Sequence, residues 1–146
     1  MKKWLFAILL LSVFGFGYWI IKESKPPAPR ITVGATNIPT AQGTYCWTGL
    51  FNGMCVDMSS PIDIIRHERL QPVVVSPGAE LRIGFRREPI KGTLGVRQWM
   101  REDEAEDVNL VGNMFKAPET KGIYIYDVYA SWEKGDASHV FVIQVK

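Results

Sequence analysis

Cysteine and histidine are scarce, with two of each among 146 residues. His67 and His139 lie far apart, and neither has a Cys or carboxylate at ligand spacing, so no metal centre is expected. Cys46 and Cys55 are separated by eight residues, which does not suit the Cys-x-x-Cys design of a redox dithiol. An excess of charge of one sign is missing too. The formal net charge of +2 reflects four lysines near the N-terminus, Lys2, Lys3, Lys22 and Lys25. From Arg30 onward thirteen basic residues stand against fourteen acidic ones. A domain so balanced has no electrostatic footprint for nucleic acid. Beyond residue 21 no apolar period of 3.6 residues persists over three turns, which argues against a helical bundle. Nor is there a nucleophile elbow or an oxyanion loop, so the proximity of Asp57, Ser59 and His67 does not make a triad. The expectation is a protein without catalytic residues and without a cofactor.

What is present begins with one long apolar run. Trp4 to Ile21 is eighteen residues without a charge, enough for a helix of about 27 Å, close to the thickness of a bilayer core. Trp4 at one end and Tyr18-Trp19 at the other fall where an aromatic belt would sit. A cleaved signal peptide wants a shorter apolar core and a small-x-small site. Here Tyr18-Trp19-Ile20-Ile21 runs straight into Lys22-Glu23. Residues 1–21 are therefore read as a signal anchor, a single transmembrane helix in the cell membrane with the domain on the extracytoplasmic side. Secretion after cleavage is the alternative. With no cysteine nearby, a lipoprotein anchor is not expected. Residues 22–29 are rich in proline and read as a semi-rigid stalk.

Residues 30–146 alternate apolar and polar residues between Gly and Pro punctuation, the pattern of an all-β domain. Strands are expected at 31–33, 44–47, 54–57, 72–75, 79–86, 96–100, 107–111 and 113–117. Residues 62–70 read either as one or two helical turns, with Ser60 as N-cap and Pro61 at the first helical position, or as an irregular crossover. The clearest element is a long antiparallel hairpin. Residues 122–132 put Tyr124, Tyr126, Val128, Ala130 and Trp132 on one face, and 138–145 return with Phe141, Ile143 and Val145 in phase. Seven to nine short strands fit a two-sheet antiparallel β-sandwich.

In an extracytoplasmic domain Cys46 and Cys55 are expected to form a disulfide, worth roughly 2.5–3 kcal/mol by chain entropy. Asn52-Gly53 is the better turn signal, whereas directly opposed cysteines would centre the turn on Leu50-Phe51, so a wide or bulged loop is expected. Trp47, Leu50, Phe51 and Met54 in that loop are read either as a contact surface for a partner or as a lid on the core. The acidic run 102–107 reads as a solvated loop, with a calcium site as the alternative. Arg82, Arg86, Arg87, Lys91, Arg97 and Arg101 read as ordinary outward positions, or as one basic stripe.

The run from Ala117 to Tyr126, ending in the long hairpin, resembles the last two strands of an immunoglobulin-like domain. The resemblance places Tyr124 at the tyrosine-corner position, with its hydroxyl bonding back to the preceding loop. It departs from true immunoglobulin domains in its cysteines, which are close in sequence rather than bridging the two sheets. Gly43-x-Tyr45-Cys46-Trp47, Cys55-Val56-Asp57 and the stretch from Trp132 to Ser138 also resemble small, uncharacterised, membrane-anchored envelope proteins of Gram-positive bacilli. That likeness implies fold and location and supplies no activity. The functional expectation is a membrane-anchored, extracytoplasmic, non-catalytic binding or protein-interaction module with an envelope protein as partner. An inhibitor or modulator of an envelope enzyme such as a protease is the alternative.

Overall fold

A computed structural model describes residues 2–23, 25–49 and 52–146, and within the first helix the side chains of 4, 6–13, 15 and 17. That helix, α1 (Lys2–Glu23), covers the long apolar run. The membrane crossing expected of it is not supported. Among the described residues no helix is long and apolar enough to cross a membrane.

The rest is mostly strand, in two sheets that form a sandwich-like fold. The smaller sheet has the order β2 (Thr36–Ile38), β1 (Pro29–Val33), β6 (Glu80–Phe85), β9 (Met114–Lys116). The larger runs β4 (Gly53–Val56), β3 (Ala41–Thr48), β11 (Gly135–Val145), β10 (Gly122–Trp132), β7 (Gly95–Arg101), β8 (Glu104–Asp107). Neighbours pair antiparallel, except that β5 (Val73–Val75) lies parallel to the end of β11. The strand expected at 107–111 is not there. Pairing with β7 involves Glu104–Asp107, so the acidic run supplies a turn and a strand rather than a loop.

The central hairpin forms as its alternation demands, from Gly122↔Val145 to Trp132↔Gly135 without a register shift. Its connection is tighter than expected, two residues, Glu133-Lys134. Gly135 has φ 146°, and a side chain there would collide with the Cys46 carbonyl on β3; only glycine admits both. Tyr126, Val128, Phe141, Ile143 and Val145 point into the core against Ile31, Leu81, Ile83 and Phe115 of the small sheet. Tyr126 stacks on Phe141 at 5.2 Å and tilts against Phe115 at 5.3 Å. A second cluster closes one end of the sandwich, where Trp132 meets Trp47 and Phe85 edge-on at 5.9 and 5.2 Å.

Of the two readings of 62–70, the helix is correct. α2 (Pro61–Glu68) starts where Ser60 Oγ accepts from the Asp63 N–H at 3.3 Å, and ends at Arg69 in the left-handed region, φ 54°. It packs on the outer face of the large sheet, against β11, β3, β10 and β7. Pro61 and Ile64 are buried there, and Val140 and Val142, on the face of β11 opposite the core, are buried too.

Candidate functional site

The cysteine hairpin stands at one margin of the large sheet. Cys46 lies directly opposite Cys55, flanked by Trp47↔Met54 and Thr48↔Gly53, and the two are disulfide-bonded. Pairing continues to the tip, where the Gly49 N–H donates to the Asn52 carbonyl at 2.8 Å. The wide or bulged loop expected here therefore does not form: directly opposed cysteines set the register and override the Asn52-Gly53 turn signal.

That register also sorts the side chains. Tyr45 and Trp47 share the inward phase, while Thr44, Cys46 and Thr48 face outward. Trp47 is 3% exposed and belongs to the second core cluster with Ala130, Trp132 and Ala137. As a contact residue it must be withdrawn, because its ring is spent inside the sandwich. Met54 is 54% exposed. Leu50 and Phe51, the other two residues of the expected contact surface, lie outside the described residues.

The opposite margin carries charge. Asp127 sits mid-strand on the outer face of β10 and is 2% exposed, a costly place for a carboxylate without partners. It has three donors. Arg97 on β7 donates from Nε to Oδ1 at 3.2 Å and from Nη2 to Oδ2 at 2.7 Å, and Trp99 Nε1 donates to Oδ1 at 2.7 Å. The guanidinium in turn lies 4.9 Å from the Tyr129 ring centre and 5.8 Å from that of Trp99, in cation–π range. Tyr129 lies flat across Gly95, where any side chain would strike its ring. Its hydroxyl reaches Asp107 at 3.5 Å.

The hydrogen bonds that Arg97 donates to Asp127 push the guanidinium pKa further up, against the opposing effect of burial. Burial, then the nearby Asp107 carboxylate, raises that of Tyr129. Both shifts lock the ordinary protonation states. With its oxygens occupied by donors from β7, Asp127 is a brace between β7 and β10. Beside it is an open groove of about 560 Å³, lined by Thr44, Arg97, Asp107, Tyr129, Asp136 and Ser138 among others. Sequence reasoning missed this constellation. Its one legible sign was a lone carboxylate in the middle of the most regular strand.

The remaining expectations resolve individually. The Tyr124 hydroxyl donates to the Thr120 carbonyl at 2.8 Å, the backward bond the tyrosine corner calls for. His139 is buried on β11, and desolvation lowers its pKa to about 4. His67 is exposed on α2, and Asp57 accepts from the Thr44 hydroxyl at 3.3 Å. The basic residues do not form one stripe. Arg82 pairs with Glu80 on the small sheet, whereas Arg97 and Arg101 are on the large one, where Arg101 Nε donates to Glu104 at 2.7 Å. Among the described residues no group of three His, Cys, Asp or Glu is placed to hold a metal ion. No protein-family model, curated protein or solved structure matches the chain.

Proposed function

We propose that the chain is a membrane-anchored, extracytoplasmic binding module with an immunoglobulin-like domain, and that it works without catalysis. The observation that carries this reading is the disulfide-stapled hairpin. It is rooted in the core by Trp47, yet presents Met54 and an uncharged strand at the sheet margin. A rigid presented edge binds with little loss of conformational freedom. The anchor is supported by the eighteen uncharged residues of 4–21. The described large apolar side chains of α1, from Trp4 at 78% to Leu10 at 45%, stand exposed instead of packing on the sandwich. An apolar surface of that kind calls for a cover, and a bilayer supplies one. The disulfide fits an oxidising compartment. The immunoglobulin-like assignment rests on the Tyr124 bond and the long final hairpin, although here the disulfide lies within one sheet and a helix covers that sheet's outer face.

The test places a photo-crosslinking side chain at position 54 in intact cells. The expected result is one discrete adduct, on a chain that stays with the membrane fraction through a high-salt wash and is digested by protease added outside. Absence of any adduct would sink the binding role. A washable or protease-shielded chain would sink the location.

A further inference from the structure

An edge strand offers unpaired backbone groups to any chain that can lie beside it, and folded proteins block this with charge, proline, brevity or cover. Among the described strands, four edges are blocked. β8 has three carboxylates in four residues, Glu104, Glu106 and Asp107. β9 is three residues long and ends in Lys116, and the outer groups of Met114 are taken by Val111, which donates to the Met114 carbonyl at 2.8 Å and accepts from the Met114 N–H at 3.2 Å. β5 is held between Pro72 and Pro77, and β2 is three residues long and runs into Pro39. The fifth edge, β4, is short too, but among the described residues it has no charge, proline or cover. Gly53-Met54-Cys55-Val56 carries no charge and no proline, its first three residues are exposed, and a disulfide keeps it in place.

Register decides which groups that edge offers. The Cα atoms of Cys46 and Cys55 are 4.0 Å apart, the spacing of a non-hydrogen-bonded pair rather than the ~5.5 Å of a bonded one. The bond from Gly49 to Asn52 places the bonded rungs at 49–52, 47–54 and 45–56. The N–H and C=O groups of Gly53 and Cys55 therefore point away from β3, out of the sheet.

We propose that β4 is a self-pairing edge, at which two copies of the chain join antiparallel about a twofold axis at Met54. Gly53 of each copy exchanges both hydrogen bonds with Cys55 of the other, four bonds in all. Met54 then meets its counterpart directly, at the position where opposed side chains come closest. The interface is isologous, the same patch on both copies, as closed dimers require. A second copy fits better than an unrelated segment because the register is complementary to itself and no charge is set against its like. So short a pairing falls below the ~1,200–2,000 Å² of stable interfaces. It is weak between freely diffusing copies and gains when both share one membrane surface. To that extent it rests on the anchored reading above.

The experiment uses the full chain in phosphatidylcholine vesicles, with flotation and energy transfer between copies labelled at the C-terminus read on the same samples. Met54→Lys alone and Met54→Glu alone are expected to lower the dimer signal at least tenfold. An equimolar mixture should restore it, and carbodiimide should then join the two substituted positions. Met54 is more than half exposed, so both variants should melt as the wild type does. No wild-type dimer, an undiminished dimer in either variant alone, or no rescue on mixing would each overturn the proposal. Chain that fails to float refutes the anchor instead, and the same charge swap read by sedimentation at high concentration then decides the pairing alone.

Discussion

The two margins of the large sheet secure their outermost hairpins by opposite means. β3–β4 is held by a covalent bond across the strands and by Trp47 driven into the core, and its sequence is uncharged. β7–β8 is held by Asp127, which gathers Arg97 and Trp99, and by the Arg101–Glu104 pair at the turn. The covalent solution leaves its ladder open to another strand. The electrostatic solution closes its ladder, because the carboxylates that pair inward also repel an incoming chain. One sheet thus has a guarded edge and an available one.

The comparison breaks most sharply at Trp47. Trp47→Ala should cost about 3–5 kcal/mol of unfolding free energy, as for other large buried aromatics, measured by chemical denaturation. A loss below about 1 kcal/mol would mean that the ring is not the root of the uncharged margin. Second in size is a pH effect at β11, the strand that carries the first margin and pairs with the brace strand. Buried His139 has its folded pKa lowered to about 4, against about 6.5 unfolded. Between those values the unfolded chain binds the extra proton, so stability is full above pH 6.5 and falls as pH drops toward 4. The integrated loss is about 3 kcal/mol. In His139→Gln that component of the slope should vanish; an unchanged slope would show that carboxylates dominate.

Removing the disulfide with Cys46→Ala and Cys55→Ala together should cost roughly 2.5–3 kcal/mol. The more telling readout is local: hydrogen exchange at Met54 and Val56 should accelerate while the β7–β8 amides keep their rates relative to global unfolding. Equal acceleration at both margins would erase the distinction between them. On the charged side, Asp127→Asn should cost about 2 kcal/mol, less than breaking a fully buried pair because the Arg97 side chain keeps 42% of its exposure. High salt should leave that difference nearly unchanged, since the carboxylate itself is out of water.

How much of this was legible in the sequence differs between the margins. The β10–β11 hairpin was, because strict alternation and a local turn set its register together. Burial of Trp47 was half legible: Thr44 to Thr48 alternates, with Tyr45 and Trp47 on one face, but the neighbouring glycines and cysteines suggested a loop. The cover supplied by α2 also had a sign, the unbroken run Val140-Phe141-Val142-Ile143, since a strand buried on one face alone would alternate. The Asp127 brace had no sufficient sign. Its partners sit about thirty residues away on β7, and no local turn sets the register between those strands.

The smallest expected effect tests the guarding role most directly. Glu104→Thr with Glu106→Thr removes two carboxylates from β8 and leaves Asp107 to receive the Tyr129 hydroxyl. Glu104 gives up only an exposed pair with Arg101, whose side chain is 76% exposed, and exposed pairs contribute a few tenths of a kcal/mol. Threonine favours the strand, so the net change in unfolding free energy should stay within about 0.5 kcal/mol. What should change is association. With the carboxylates gone, β8 comes to resemble β4, and the chain should form larger, concentration-dependent species through a second open edge, seen by light scattering. If the variant stays as dispersed as the wild type, charge is not what closes this edge, and the contrast between the margins reduces to how each hairpin is fastened.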